Sequence, residues 1–155
     1  MKYKIGYDLD GVIAKFKPTE FDYFMLKLFP RLYLKKLHKN AKCLMRPKEG
    51  IIITGRDEKL AKVTETWLEK NNINLPVIYN KFIGRKSYDL YKWLATKHKA
   101  YWINYLKLKI FFESERIQAD LLREACPNCR IVWAGSFDEA VYYTSNDNED
   151  IYTSN

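Results

Sequence analysis

Two aspartates stand one residue apart at Asp8-Leu9-Asp10-Gly11, directly after an apolar run. A second apolar run, Ile51-Ile52-Ile53, leads into Thr54-Gly55-Arg56-Asp57, and a third, Phe111-Phe112, leads into Glu113-Ser114-Glu115. Carboxylates drawn together repel each other unless a cation shares them, and oxygen ligands with open positions suit Mg2+. A lysine nearby would complete the charge balance. Acids, a threonine hydroxyl and a cation in one place are the materials of acid–base and nucleophilic chemistry on an anionic substrate.

Whether they meet depends on the elements that carry them. Lys4–Leu9 clusters its apolar residues, as a strand covered on both faces does. Residues 16–39 are rich in Tyr, Phe and Leu at helical spacing, with a break expected at Pro30. Ile51–Ile53 is a β-branched run of the central-strand type. Leu60, Val63, Trp67 and Leu68 then share one helical face that Asn71-Asn72 ends. Pro76–Tyr79 reads as a short strand, and Ser87 as the N-cap of a helix turning Leu90, Trp93 and Leu94 inward. A second helical stretch, Lys99–Leu106, points Ile103 and Leu106 to a core. Lys109–Phe112 is another strand. Ser114 can cap a helix with Ile117, Leu121, Leu122 and Ala125 inside, which Pro127 closes, and Ile131–Ala134 is a last strand. Strands alternating with helices predict an α/β fold, a parallel sheet between two layers of helices. In such sheets ligands bind beyond the carboxyl ends of the strands, where the acids lie.

The pattern resembles the haloacid dehalogenase-like (HAD) superfamily of phosphotransferases. The residues that carry the resemblance are Tyr7-Asp8-Leu9-Asp10-Gly11-Val12, Ile51-Ile52-Ile53-Thr54-Gly55-Arg56, a lysine before the fourth strand, and Phe111-Phe112-Glu113, in family order across residues 3–135. The resemblance implies a three-layer Rossmann-like domain with a small helical cap inserted after the first strand. It also implies an aspartyl-phosphate mechanism. Asp8 would attack phosphorus, and Asp10 would act as general acid and then general base. Thr54 would offer a hydroxyl, and its neighbours their N–H groups, to the phosphoryl oxygens. Mg2+ would bridge the Asp8 carboxylate, the Asp10 carbonyl and Glu113. Thr54, Gly55, Arg56 and the lysine make up the expected substrate-binding set, with pairing to a local acid as the other reading of Arg56. For the lysine, Lys99-Ala100-Tyr101-Trp102 fits the family pattern best, and Lys86 is the alternative. An aspartate two places after the nucleophile suits a phosphatase, where related ATPases carry threonine. The fourth motif departs from the family by reading Glu113-Ser114-Glu115 where two acids are common, which bears on the surroundings of the metal.

The chain of 155 residues carries 27 basic and 19 acidic side chains, a formal charge of +8. Its 47% hydrophobic content is too high for disorder, and no run approaches the roughly 20 apolar residues of a membrane span. An N-terminus that reaches acidic residues before any apolar core, and three cysteines, lead to the expectation of a cytoplasmic protein without disulfides. One domain is expected over 1–143, with the cap at about 15–48 and a polar, flexible tail over 144–155. Eight basic residues and no acid lie between Lys27 and Lys48, and eight more face only Asp89 between Lys81 and Lys109. Such blocks attract phosphorylated substrates, a nucleotide or a nucleic-acid end among them, and Tyr23, Phe24, Phe29 and Tyr33 could stack on bases. The competing function is therefore a basic nucleic-acid- or partner-binding protein on the same fold without catalysis. Cys126-Pro127-Asn128-Cys129 has the spacing of a zinc or redox pair, but follows a helix and lacks a second pair, so a structural role is expected. His38 and His98, set among lysines, are expected to be solvated.

Overall fold

The computed structural model describes residues 3–15, 21, 25, 28–81 and 88–135. Expectations for Tyr23, Phe24, Lys86, Ser87, the side chain of Leu90 and the tail from Thr144 lie outside the described residues.

Strands β1 (Ile5–Tyr7), β4 (Ile51–Asp57), β5 (Val77–Asn80), β6 (Ile110–Glu113) and β7 (Arg130–Trp133) form a parallel sheet in the order β5-β4-β1-β6-β7. β1 therefore lies at the centre, with the chain winding first to one side of it and then to the other. That reversal opens a crevice at the carboxyl ends of β1 and its neighbours. The register places Tyr7 beside Ile52 on one side and Phe112 on the other.

Alternation along the strands makes the two cores. Ile52, Tyr7, Phe112 and Val132 face one side with Trp67 and Leu68, while Ile51, Ile53, Phe111 and Ile131 face the other with Ile103 and Leu122. Helix α2 (Ala61–Lys70) covers the first face; α3 (Tyr88–Tyr105) and α4 (Arg116–Ala125) cover the second. The expected three-layer α/β arrangement is what the described residues form. Gly6 points into the second face, where a Cβ would come within 2.5 Å of the Leu108 side chain.

Between β1 and β4 the chain forms an insert. β2 (Ala14–Lys15) and β3 (Lys42–Cys43) pair antiparallel at its neck, and α1 (Pro30–Lys39) lies within it. The break expected at Pro30 is present: Phe21, Met25 and Leu28 are helical, Phe29 is a bend, and α1 starts on Pro30, where proline loses no helical hydrogen bond. Trp67 ties the insert to α2 by donating its indole N–H to the Ala41 carbonyl at 2.8 Å.

Four expectations need correction. The two helical stretches before β6 are one helix, α3, since nothing between Leu94 and Lys99 breaks it. Trp93 does not turn inward; it is 49% exposed. On α4 the buried stripe is Gln118, Ala119 and Leu122, which leaves Ile117, Leu121 and Ala125 exposed. The cap of α4 is Glu115, whose carboxylate accepts the Gln118 N–H at 2.8 Å, and not Ser114. Glu followed three residues on by Gln is a variant of the capping-box pattern. No helix among the described residues is long and apolar enough to cross a membrane.

Candidate active site

The carboxyl ends of β1, β4 and β6 open on a cavity of about 440 Å3. Asp8, Asp10, Gly55, Arg56, Lys99 and Glu113 all line it, so six of the seven expected site residues converge.

Asp8 follows the last residue of β1, and its backbone N–H still pairs with the Phe112 carbonyl at 2.8 Å. The strand bond fixes where its side chain leaves the sheet. Asp8 Oδ1 accepts the Leu9 N–H at 2.8 Å, and Oδ2 lies 3.0 Å from Lys99 Nζ. Lys99 reaches the same place from α3. Its ammonium, fully buried, also donates to Glu113 Oε2 at 2.6 Å and to Gln118 Oε1 at 3.3 Å. Glu113, the last residue of β6, accepts the Glu115 N–H on Oε1 at 3.0 Å. Burial pushes the Asp8 carboxyl up to about 8, with Lys99 working against the rise and Glu113 adding to it. Burial also works against the Lys99 charge, yet Asp8 and Glu113 together hold the ammonium above its ordinary range. When Asp8 ionises, two carboxylates face one ammonium and the cluster is short of positive charge.

Asp10 faces a different partner. Arg56 grips it in a fork, Nη2 to Oδ1 at 2.5 Å and Nε to Oδ2 at 2.8 Å, and donates Nη1 to Thr64 Oγ1 at 3.0 Å. The geometry is the bidentate one that guanidinium favours with carboxylate. Of the two readings of Arg56, pairing with an acid is the one present. β4 carries Arg56 here because the strand continues to Asp57, where its register against β5 shifts. Thr54 is the expected residue that does not line the cavity; it is fully buried, and its hydroxyl accepts the Arg56 N–H at 3.1 Å.

The loop after Asp10 turns on Gly11, whose φ of +85° favours glycine and where a Cβ would come within 2.4 Å of Ser114 Oγ. The same Ser114 hydroxyl donates to the Asp10 carbonyl at 2.7 Å, linking the loops after β1 and β6.

Gln118, Ser114 and His38 belong to the site without having been expected there. Gln118 could have been suspected from its place three residues after Glu115. His38 is a correction: it is buried on α1 and lines the cavity, not solvated. Burial pushes its imidazole down to about 4, the Arg56 guanidinium adding to the shift and Asp10 opposing it. A folded-state value below the unfolded one means that His38 contributes stability above about pH 6.5 that is lost as pH falls toward 4. Replacing His38 by Gln should therefore flatten the pH dependence of the unfolding free energy, read from urea titrations across that window, by at most about 1.4 kcal/mol per pH unit. An unchanged slope would show that the imidazole is not held neutral. His98, half-buried and also pushed down to about 4 by burial, keeps its own share. Cys126 and Cys129 are buried in the core of the second face, and burial pushes both thiols up, to about 11 and about 12, which suits the structural role expected.

Among the described residues no three His, Cys, Asp or Glu side chains are grouped so as to hold a metal ion. Mg2+ does not need such a group, since it binds through one or two carboxylates and keeps water or substrate oxygens for the rest. Asp8 and the Asp10 carbonyl are hard oxygen donors of that kind, and the charge deficit around Lys99 favours a cation. The residues present fit the ion in chemistry. Comparison of the chain with known protein families, with curated proteins and with solved structures finds no match.

Proposed function

We propose that the protein hydrolyses phosphate monoesters through a covalent phosphoryl intermediate on Asp8, as a phosphatase of the HAD type. The observation that carries the reading is the Asp8–Lys99–Glu113 cluster, buried at the carboxyl end of the central strand where the sheet reverses direction. Lys99 holds Asp8 on one oxygen and the Leu9 N–H holds the other, so the carboxylate is oriented before substrate arrives. An Asp8 oxygen then forms a bond to phosphorus while the ester oxygen leaves with the electron pair of the broken P–O bond. Asp10, two residues on, supplies the proton to that leaving oxygen. Asp10 next takes a proton from water, whose oxygen displaces Asp8 from phosphorus and releases phosphate. Arg56 sets the orientation of Asp10 through both carboxylate oxygens, and one arm of that fork has to open for Asp10 to carry the proton. Gly55 lines the cavity beside Arg56, where the turn from Thr54 would meet phosphoryl oxygens.

Mg2+ would be held by Asp8 and the Asp10 carbonyl, with Glu113 as the further acid, and supplies positive charge against the nucleophile and the phosphate. The basic insert, with Lys35 and Lys36 exposed on α1, favours an anionic substrate such as a nucleotide or a nucleic-acid phosphate end. The test is release of a chromogenic alcohol from a generic phosphomonoester. Turnover should appear with Mg2+, vanish with a chelator and return when Mg2+ is restored in excess. Turnover indifferent to the chelator would remove the metal from the proposal, and no turnover of any phosphomonoester would remove the activity.

A further inference from the structure

Helix α3 has a second face, turned away from Lys99. Trp93, Lys97, Tyr101 and Tyr105 recur every fourth residue and so form one stripe along it. Tyr101 is 60% and Tyr105 66% exposed, and their rings stack with centroids 5.9 Å apart. Lys97 Nζ lies 4.2 Å from the centre of the Trp93 ring.

Lys97 and Tyr101 also border a cavity of about 700 Å3 between α3 and the edge strand β5, walled by Val77, Tyr79, His98 and Trp102. Stripe and cavity are thus continuous. His98 Nε2, buried in this wall, has no hydrogen-bond partner, while the Ile78 backbone bonds the other side of the ring. With its proton on the Ile78 side, the neutral imidazole leaves Nε2 a bare acceptor. A buried acceptor without a donor is costly, so this atom calls for an N–H or O–H from a ligand.

Charge selects among occupants. Lys81 and Lys97 stand at the cavity against Glu58, within the segment where eight basic residues face one acid. A second copy would bring another chain of formal charge +8 against these cations. A polyanion with flat rings meets the cations and the aromatics together.

We propose that this face of α3 and the adjoining cavity bind single-stranded nucleic acid. One base enters the cavity and donates a ring or amino N–H to His98 Nε2. Its neighbours stack on Tyr101, Tyr105 and Trp93, and Lys81 and Lys97 meet the phosphates. Binding here stands independently of phosphatase activity.

Fluorescence anisotropy of labelled oligothymidylate and oligouridylate with the intact chain tests the site. Binding of either probe should weaken steeply as salt rises. Tyr101→Ala with Tyr105→Ala, both at exposed positions, should weaken it at least about tenfold. Lys97→Glu should also weaken it, while Lys62→Glu with Lys70→Glu, exposed on α2 across the sheet, should leave most of it; circular dichroism checks that each variant is folded. The proposal is overturned if neither probe binds at low salt, if the α3 variants bind as the parent does, or if the α2 variant carries the loss. It is equally overturned if gel filtration shows a dimer that Tyr101→Ala disperses, for then a second copy is the occupant.

Discussion

Replacing Asp8 by Asn should abolish phosphomonoester hydrolysis, lowering kcat by at least about 10³-fold, as removal of an attacking group does. The same change should leave the fold intact. Asn keeps the size of Asp and can still accept the Leu9 N–H that Asp8 Oδ1 accepts at 2.8 Å. It also leaves Lys99 paired one to one with Glu113, removing one of two carboxylates that share a single buried ammonium. Activity and stability therefore part company. Thermal unfolding at or above the parent temperature, together with lost turnover, is the expected pair of results. Turnover at the parent level would show that another group attacks phosphorus; a collapse of the fold would show that the Asp8 charge is structurally required.

Replacing Lys99 by Met should do the opposite to stability. Lys99 is among the largest fully buried side chains, and its ammonium is what keeps Asp8 and Glu113 apart as charges. Removing one member of a buried ion cluster leaves the rest uncompensated and costs about 3–5 kcal/mol. For a domain of this size that corresponds to a fall of roughly 10 °C in Tm. Turnover should be lost as well, because Asp8 loses the contact that orients it. Adding Glu113→Leu to the Lys99→Met chain should recover much of the stability and none of the activity, since the pair is then replaced by apolar volume. Differential scanning calorimetry of the single and double variants decides the matter: an unchanged Tm in Lys99→Met would mean that the charges are not coupled.

Much of this arrangement was legible in the sequence because it depends on local rules. The β-branched run Ile51–Ile53 and the aromatic pair Phe111-Phe112 marked buried strands, and the rule that parallel sheets bind ligands beyond the carboxyl ends of their strands pointed to the residues just after them. Asp8 and Glu113 were found in that way. Lys99 was found by a family pattern, and a helix phase that turns it toward the sheet brings it to them. What escaped depends on distance or on a single helical phase. Asp10 and Arg56 are 46 residues apart, and nothing local to either says that the guanidinium will fork onto that carboxylate. His38 sits between lysines at 36 and 39, yet its side of α1 turns inward while theirs faces water. On α4, Ile117 and Leu121 share a stripe that lies outside the one formed by Gln118, Ala119 and Leu122. Apolar residues suggested the wrong face there, because the polar Gln118 is drawn inside by the ammonium of Lys99.

The ammonium of Lys99 has three hydrogens, and three acceptors surround it: Asp8 Oδ2, Glu113 Oε2 and Gln118 Oε1. Arg56 differs: Asp10 and Thr64 take three of its five N–H hydrogens, one on each nitrogen. Among the described residues lining the cavity, then, Lys99 is the cation whose stoichiometry is filled by the protein's own oxygens. An arriving dianion can recruit that ammonium only by evicting a carboxylate or a neutral oxygen that already holds it. Inorganic phosphate by itself should consequently draw little on Lys99, its counterion coming from solution or from the remaining guanidinium hydrogens of Arg56.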